Sequence, residues 1–316
     1  MVDVAILDDY QEVALSSADW SPVSRRAAVT VFTDHIADET ALIQRLAPFD
    51  VIVAMRERTA FPATVLEQLP RLRLLITTGM GNASFDLAAA ARLGVTVCGT
   101  GGSGAATPEL AWGLILALAR YIPQEDATVR AGGWQRSVGR ELAGSTLGLL
   151  GLGRIGQRIA HYAHAFDMNC IAWSQNLTKE RAEAGGARLV TKEQLFTEAG
   201  IVSVHLKLSE RTAGLVGRAE LALLGPDGLL VNTSRGPIVD EAALVDALYQ
   251  GRIGGAALDV FDTEPLPRGH PLRTAPNTVL TAHIGYVSRE TYAIFYSHAV
   301  EDIAGWLDGR PARVLA

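Results

Sequence analysis

Residues 146–160 read TLGLLGLGRIGQRIA. An apolar strand pattern, Thr146–Leu150, runs into Gly151, Gly153 and Gly156 at G-x-G-x-x-G spacing, and a helical pattern follows at once. Each glycine has its own reason to be there. Gly151 permits a tight turn, Gly153 lets a pyrophosphate approach the backbone, and Gly156 lets the helix pack closely on the strand. The new helix then presents unpaired N–H groups and a partial positive charge to an anion. A strand, a glycine turn and a helix in this order predict a parallel α/β sheet that binds a dinucleotide.

The same alternation extends in both directions. Upstream, Val2–Leu7, Val51–Met55, Leu72–Thr77 and Val95–Cys98 read as strands, with amphipathic helices over Thr40–Leu46, Pro62–Leu69 and Asp86–Leu93 between them. Downstream, strands are expected at Asn169–Trp173, Ile201–Val204, Gly228–Asn232, Gly254–Leu258 and Thr278–Thr281, with helices over Ile155–Phe166, Lys192–Glu198 and Glu241–Tyr249. Such alternation builds βαβ units and parallel sheets. A small-residue stretch, Thr100–Ala106, precedes a strongly apolar helix over Thr107–Tyr121, with Pro108 in its first turn and Pro123 expected to end it. A last long helix is expected over Val287–Leu307.

Composition narrows the function classes. A chain of 316 residues suggests about two domains. Its 48% hydrophobic and 20% charged residues are ordinary for a globular protein. Glycine, at 31 residues, is in excess without a G-X-Y period, which excludes collagen and points to tight turns and close backbone approaches. With 28 basic against 34 acidic residues the net charge is −6, which argues against nucleic-acid binding. Cys98 and Cys170 each sit in an apolar run and read as buried, inert thiols of a reducing compartment. The acidic N-terminus is unlike a signal peptide, and no apolar run reaches the length of a membrane span, so a soluble cytoplasmic protein is expected. Nothing in the sequence marks a metal site.

The dinucleotide fingerprint lacks one element. An acidic residue about 20 positions beyond the glycines ordinarily bonds the adenosine ribose. After the strand Asn169–Trp173 this chain carries Ser174, Gln175 and Asn176 instead. No carboxylate there would repel the 2′-phosphate of NADP, and Lys179 and Arg181 lie within a few residues. The choice between NAD and NADP therefore stays open.

Three polar residues interrupt apolar or glycine-rich surroundings just beyond strands: Arg235 in LLVNTSRG, Glu264 in DVFDTEP and His283 in TVLTAHIGY. Ligands of open parallel sheets bind outside the carboxyl ends of the strands, so these positions converge on one crevice. The trio suits redox chemistry on a 2-hydroxy acid. Histidine takes or gives the hydroxyl proton, a glutamate beside it favours the imidazolium and orients the ring, and arginine offers a fork of donors to a carboxylate.

At this point the chain resembles the D-isomer-specific 2-hydroxyacid dehydrogenase family, through ELAGSTLGLLGLGRIG, VSVHLKLSERTAGLVG, LLVNTSRGPIVDEAALVDAL, GGAALDVFDTEPL and NTVLTAHIG. The resemblance implies Arg235 as substrate anchor, His283 as acid/base and Glu264 as its partner. It implies cofactor contacts at Arg154, Ile155, Thr107, His205, Asn232, Thr233, Ser234 and Asp259, besides Gly151, Gly153, Gly156, Ser174 and Gly285. TTGMGNASFD resembles the segment whose backbone N–H groups hold the substrate carboxylate, which implies Gly79, Met80 and Gly81 as substrate contacts, with Arg56 and Trp112 as possible borders of the pocket. Lys207 and Trp112 depart from the family pattern, in which proline and histidine are usual.

The expected fold is α/β, with two doubly wound parallel-sheet domains. A Rossmann cofactor domain, residues 102–284, is inserted into a flavodoxin-like substrate domain, residues 1–101 plus 285–316. The active site is expected between them, with hinges near Thr100 and Gly285. The expected activity is hydride transfer between NAD(P)H and a small 2-keto acid. The resemblance implies a homodimer with much of its interface in 102–144. A dinucleotide-sensing corepressor or scaffold on the same fold is the rival reading.

Overall fold

Short apolar runs joined through helices cannot pair as hairpins; they pair side by side as parallel strands with both sheet faces covered. A computed structural model describing residues 1–316 contains two such sheets. The chain divides into two compact units, Met1–Ser103 together with Val287–Ala316, and Gly104–Tyr286.

The first unit holds β1 (Val2–Ile6), β2 (Ala27–Val31), β3 (Val51–Ala54), β4 (Leu74–Thr77) and β5 (Thr96–Gly99). Their order is β2-β1-β3-β4-β5 and every pairing is parallel. This is the flavodoxin-like order, with its switch point between β1 and β3. β2 escapes the sequence reading because it is an edge strand. Only Ala27 of its five residues is buried, so it carries no continuous apolar run. One face of the sheet is filled by Leu42, Leu46, Ile52, Phe61, Leu75 and Phe85, with the Phe61 and Phe85 rings edge to face at 5.3 Å. The final helix, Arg289–Leu307, belongs to this unit and buries Tyr296, Ala299 and Ile303 completely.

The second unit holds β6 (Thr146–Leu150), β7 (Asn169–Trp173), β8 (Arg188–Leu189), β9 (Ile201–Val204), β10 (Leu229–Asn232), β11 (Gly255–Leu258) and β12 (Thr278–Leu280). All pair in parallel, in the order β12-β11-β10-β9-β6-β7-β8. Counted from β6, that is the Rossmann order 3-2-1-4-5-6 with a seventh strand added. β8, two residues long, is too short to show a period. One expectation needs correcting. The apolar helix spans Ala106–Ala119, and the chain breaks at Tyr121, which is left-handed (φ +53°). Pro123 therefore sits in the first turn of a new helix, Ile122–Arg130, where its missing N–H removes no helical bond. Trp112 is a core residue of this unit, packed against the rings of Tyr162 and Phe166. No helix is long and apolar enough to cross a membrane.

Both cysteines are free and buried, and burial raises the thiols to about 12 for Cys98 and about 11 for Cys170. Near Cys98 the last residues close the first unit. Residues 313–316 run antiparallel along β5, with Val97 N–H donating to the Ala316 carbonyl (2.7 Å) and Gly99 N–H to the Arg313 carbonyl (3.0 Å). Arg313 Nη1 pairs with Glu301 Oε2 (2.8 Å), and its Nη2 lies 3.0 Å from Oδ1 of fully buried Asp302. Burial pushes the Asp302 carboxyl up to about 7, against the pull of Arg313.

A carboxyl whose folded pKa exceeds its unfolded value of 3.8 stabilises the fold fully only below that value, and the contribution is lost as pH rises through about 7. Asp302→Asn removes this dependence. Melting measured from pH 5 to pH 8 is expected to show the difference between variant and parent moving in the variant's favour as pH rises. A difference independent of pH overturns the assignment.

Candidate active site

β6 delivers the chain directly into the glycine turn. Gly151 is left-handed (φ +103°), and its N–H donates to the Trp173 carbonyl at the end of β7 (2.9 Å). A Cβ on Gly151 would lie 2.7 Å from the His205 carbonyl oxygen, and one on Gly156 would overlap the Gly151 carbonyl oxygen. Both glycines are thus required by the approach of backbone to backbone. Gly153 differs. A Cβ there meets nothing within 4 Å, so its missing side chain leaves the outer face of the turn open. Gly153 caps the helix Arg154–Ala165 without a side-chain bond, which leaves the first helical N–H groups, including those of Arg154 and Ile155, to whatever lies on that face. The turn lies beside the switch point between β6 and β9. Its open face and unpaired amides fit the pyrophosphate of a dinucleotide.

His205 follows β9 and donates its N–H to the Leu150 carbonyl (2.8 Å). Its ring nitrogens are buried without hydrogen-bond partners, and burial lowers its pKa to about 4, so the ring is neutral near pH 7. Beyond β10 the chain knits itself into a turn. Asn232 Nδ2 donates to the Arg235 carbonyl (2.9 Å), Ser234 N–H to Asn232 Oδ1 (3.0 Å), and Ser234 Oγ to the Val204 carbonyl (2.9 Å). The Thr233 hydroxyl is left buried and unpartnered in that turn. Ser174 follows β7, and no carboxylate follows it through Asn176.

Arg235, Glu264 and His283 follow the neighbouring strands β10, β11 and β12, whose parallel pairing puts their carboxyl ends on one edge. Gly236 allows the turn after Arg235 to press on the backbone at Phe261, where a Cβ would collide. Glu264 Oε1 accepts the Phe261 N–H (2.9 Å), and Oε2 lies 2.5 Å from His283 Nδ1. Desolvation raises the Glu264 carboxyl, but the His283 bond and charge, the Phe261 amide and the Arg235 charge together hold it below the usual value. Glu264 is therefore ionised at neutral pH. With Nδ1 committed to it, His283 has Nε2 left for proton exchange.

His283 is one of few non-glycine residues with left-handed backbone (φ +52°). Such a conformation persists only where the surroundings enforce it. Asp259, fully buried at the end of β11, does so. Its Oδ1 accepts from Thr281 Oγ1 (2.6 Å) and Ile284 N–H (2.8 Å), and its Oδ2 from Gly285 N–H (2.8 Å). Desolvation nonetheless raises its pKa. A Cβ on Gly285 would lie 3.1 Å from Asp259 Oδ2 and 3.4 Å from Thr107 Cγ2. In the sequence the only sign of this anchoring is a lone acid at a strand end, Asp259.

In the first unit, Arg56 follows β3, also left-handed (φ +52°). Its N–H donates to Thr78 Oγ1 (2.9 Å) and its Nη1 to the Thr78 carbonyl (3.1 Å), so the guanidinium occupies the space beside Gly79 where a side chain would stand. Gly79 N–H donates to Thr100 Oγ1 (2.8 Å). That bond narrows the expectation for this turn: the amides left open are those of Met80 and Gly81, both exposed.

The NAD binding domain of the D-isomer specific 2-hydroxyacid dehydrogenases matches residues 112–285. The chain is 41% identical over 256 residues to a glyoxylate reductase of Aeropyrum pernix, covering 78% of this chain and 76% of that protein. It is 36% identical over 275 residues to a D-3-phosphoglycerate dehydrogenase of Archaeoglobus fulgidus, covering 86% of this chain but 52% of that protein, so it spans about half of that relative. Among solved structures, the phosphoglycerate oxidoreductase of Vibrio cholerae superposes with a TM-score of 0.92 at 38% identity, covering 98% of this chain and 100% of that one.

Alanine at Gly153 and at Gly156 would test the open face and the packing of the turn separately. Gly153 has φ −82° and ψ −161°, which alanine adopts without strain. Gly153→Ala is expected to melt like the parent but to bind NADH or NADPH about tenfold more weakly in fluorescence titration, since its methyl group would stand on the open face where a pyrophosphate is expected. Gly156→Ala is expected to lower both melting temperature and affinity. Parent-like affinity in Gly153→Ala would remove that residue from the cradle.

Proposed function

The chain belongs to the D-isomer specific 2-hydroxyacid dehydrogenase family, and on that premise we propose that it interconverts a small 2-keto acid and the D-2-hydroxy acid, with His283 as general acid/base. The observation that carries this reading is the His283–Glu264 pair beside Arg235 at the ends of three adjacent parallel strands. A nicotinamide dinucleotide supplies the hydride when bound, and Gly151, Gly153, Gly156 and the amides of Arg154 and Ile155 are the groups that would hold its pyrophosphate. Thr107, Ser174, His205, Asn232, Thr233, Ser234, Asp259 and Gly285 complete the proposed cofactor site.

The rest of the chemistry is carried by side chains. Arg235 binds the substrate's carboxylate and carbonyl oxygen with its planar fork. In reduction, His283 Nε2 gives its proton to the carbonyl oxygen as negative charge develops there; in oxidation the same nitrogen takes the hydroxyl proton. Glu264 stays ionised throughout, orients the ring through Nδ1 and favours its charged form. His205 is neutral near pH 7, which sets it apart from this proton traffic. Residues 1–101 with 285–316 are assigned as the substrate domain, where Arg56 and the Gly79–Met80–Gly81 turn take the substrate role, and residues 102–284 as the cofactor domain. A homodimer is proposed through residues 102–144, where Ile122, Val129, Trp134 and Val138 leave large apolar side chains exposed.

Two measurements follow, on protein whose mass by light scattering is that of a dimer. His283→Ala is expected to lower turnover roughly 10²–10⁴-fold on a panel of 2-keto acids while leaving dinucleotide affinity within about twofold; near-parent turnover would remove His283 from the mechanism. Because Ser174–Asn176 carries no ribose-binding acid, kcat/KM with NADPH is expected to equal or exceed that with NADH. A marked NADH preference rejects that part of the reading.

A further inference from the structure

The hydrogen bond from His283 to Glu264 restrains the ring at one atom only. It fixes the imidazole at Nδ1, but a ring held at one atom and at Cβ still rocks, and Nε2 moves with it. A displacement of about 1 Å at a reacting atom can cost a hundredfold in rate. The structure offers a second restraint three residues further along the same turn. The Tyr286 ring stands edge to face with the His283 ring, centroids 5.9 Å apart and planes at 69°. This is the arrangement that aromatic quadrupoles prefer. Both residues are partly buried, and the His283 side chain retains 18% exposure.

The turn itself brings the two rings together. Asp259 holds the amides of Ile284 and Gly285, between the histidine and the tyrosine. Gly285 lets the backbone pass close to Asp259 and Thr107, where a side chain would be crowded. The same strap that enforces the left-handed backbone at His283 therefore sets the place of Tyr286.

We propose that Tyr286 is a positioning residue for His283, acting through its ring and not its hydroxyl. Together with Glu264 at Nδ1, it holds the imidazole plane so that Nε2 keeps a single direction. The proposal rests on the reading of His283 as general acid/base. It concerns only the rate of the chemical step.

The test compares Tyr286→Leu, Tyr286→Met and Tyr286→Phe with the parent, on the 2-keto acid that the parent reduces fastest, alongside His283→Ala and the double variant Tyr286→Leu/His283→Ala. Leu and Met are expected to lower kcat by about three- to tenfold, the range that an aromatic pair contributes. KM for keto acid and cofactor and the melting temperature are expected to stay at parent values. Tyr286→Phe is expected to recover the parent kcat, and the double variant to be no slower than His283→Ala alone, because the tyrosine works only through that ring. Met serves as the second ringless variant should Leu fold poorly. Parent-like kcat in both ringless variants, while His283→Ala collapses, overturns the proposal and leaves the acid/base reading standing. A phenylalanine variant as slow as the leucine one assigns the effect to the hydroxyl and overturns it too, as does a raised KM at unchanged kcat. Parent-like turnover in His283→Ala overturns the acid/base reading itself.

Discussion

Asp259 sits at the carboxyl end of β11 with no solvent exposure, and three donors converge on it: the Thr281 hydroxyl and the amides of Ile284 and Gly285. The geometry of the histidine turn depends on this cluster. A buried carboxylate is costly unless its oxygens are satisfied, and removing one partner costs more than the bond itself contributes. The carboxylate therefore holds the turn firmly in one shape. That shape includes a left-handed His283, which an unconstrained histidine rarely adopts. His283 then meets Glu264 at Nδ1 and the Tyr286 ring edge to face.

The glycine turn follows a different constraint, the close approach of one backbone to another. Gly151 presses on the His205 carbonyl and Gly156 on the Gly151 carbonyl, so neither has room for a side chain. Gly153 alone faces open space. The division separates packed from open backbone within one six-residue motif. Two glycines are needed for the turn to exist, and the third leaves its outer face open.

Parallel pairing unites these local devices within the second unit. Every strand of that sheet points the same way, so the residues following β6, β9, β10, β11 and β12 share one edge although the sequence separates them widely. The first unit repeats the principle on its own sheet. There Arg56 and Gly79, following β3 and β4, share the carboxyl edge and are linked through Thr78. The family model spans the second sheet, and the Vibrio cholerae structure, covering 98% of this chain, superposes over both.

The buried strands of both sheets were legible because burial on two faces demands unbroken apolar runs such as Val51–Ala54 and Leu229–Asn232. The glycine turn was legible because its spacing states a steric requirement. Arg235, Glu264 and His283 stood out because charge just beyond an apolar strand needs a reason. Edge strands β2 and β8 were not legible, since half-exposed or two-residue strands carry no periodic signal. Proline ends one helix and begins the next with the same chemistry, so the sequence around Pro123 does not distinguish the two; the left-handed Tyr121 before it does. By itself, then, the sequence determined the parallel fold, the glycine turn and the identities of the three polar residues, because burial, sterics and charge act on residue types wherever they fall. The tertiary structure alone decided that Gly79 spends its amide on Thr100, that Asp259 straps the histidine turn, and that Tyr286 stands against His283. Those are pairings between particular atoms, and no local pattern specifies them until the strands have set the distances.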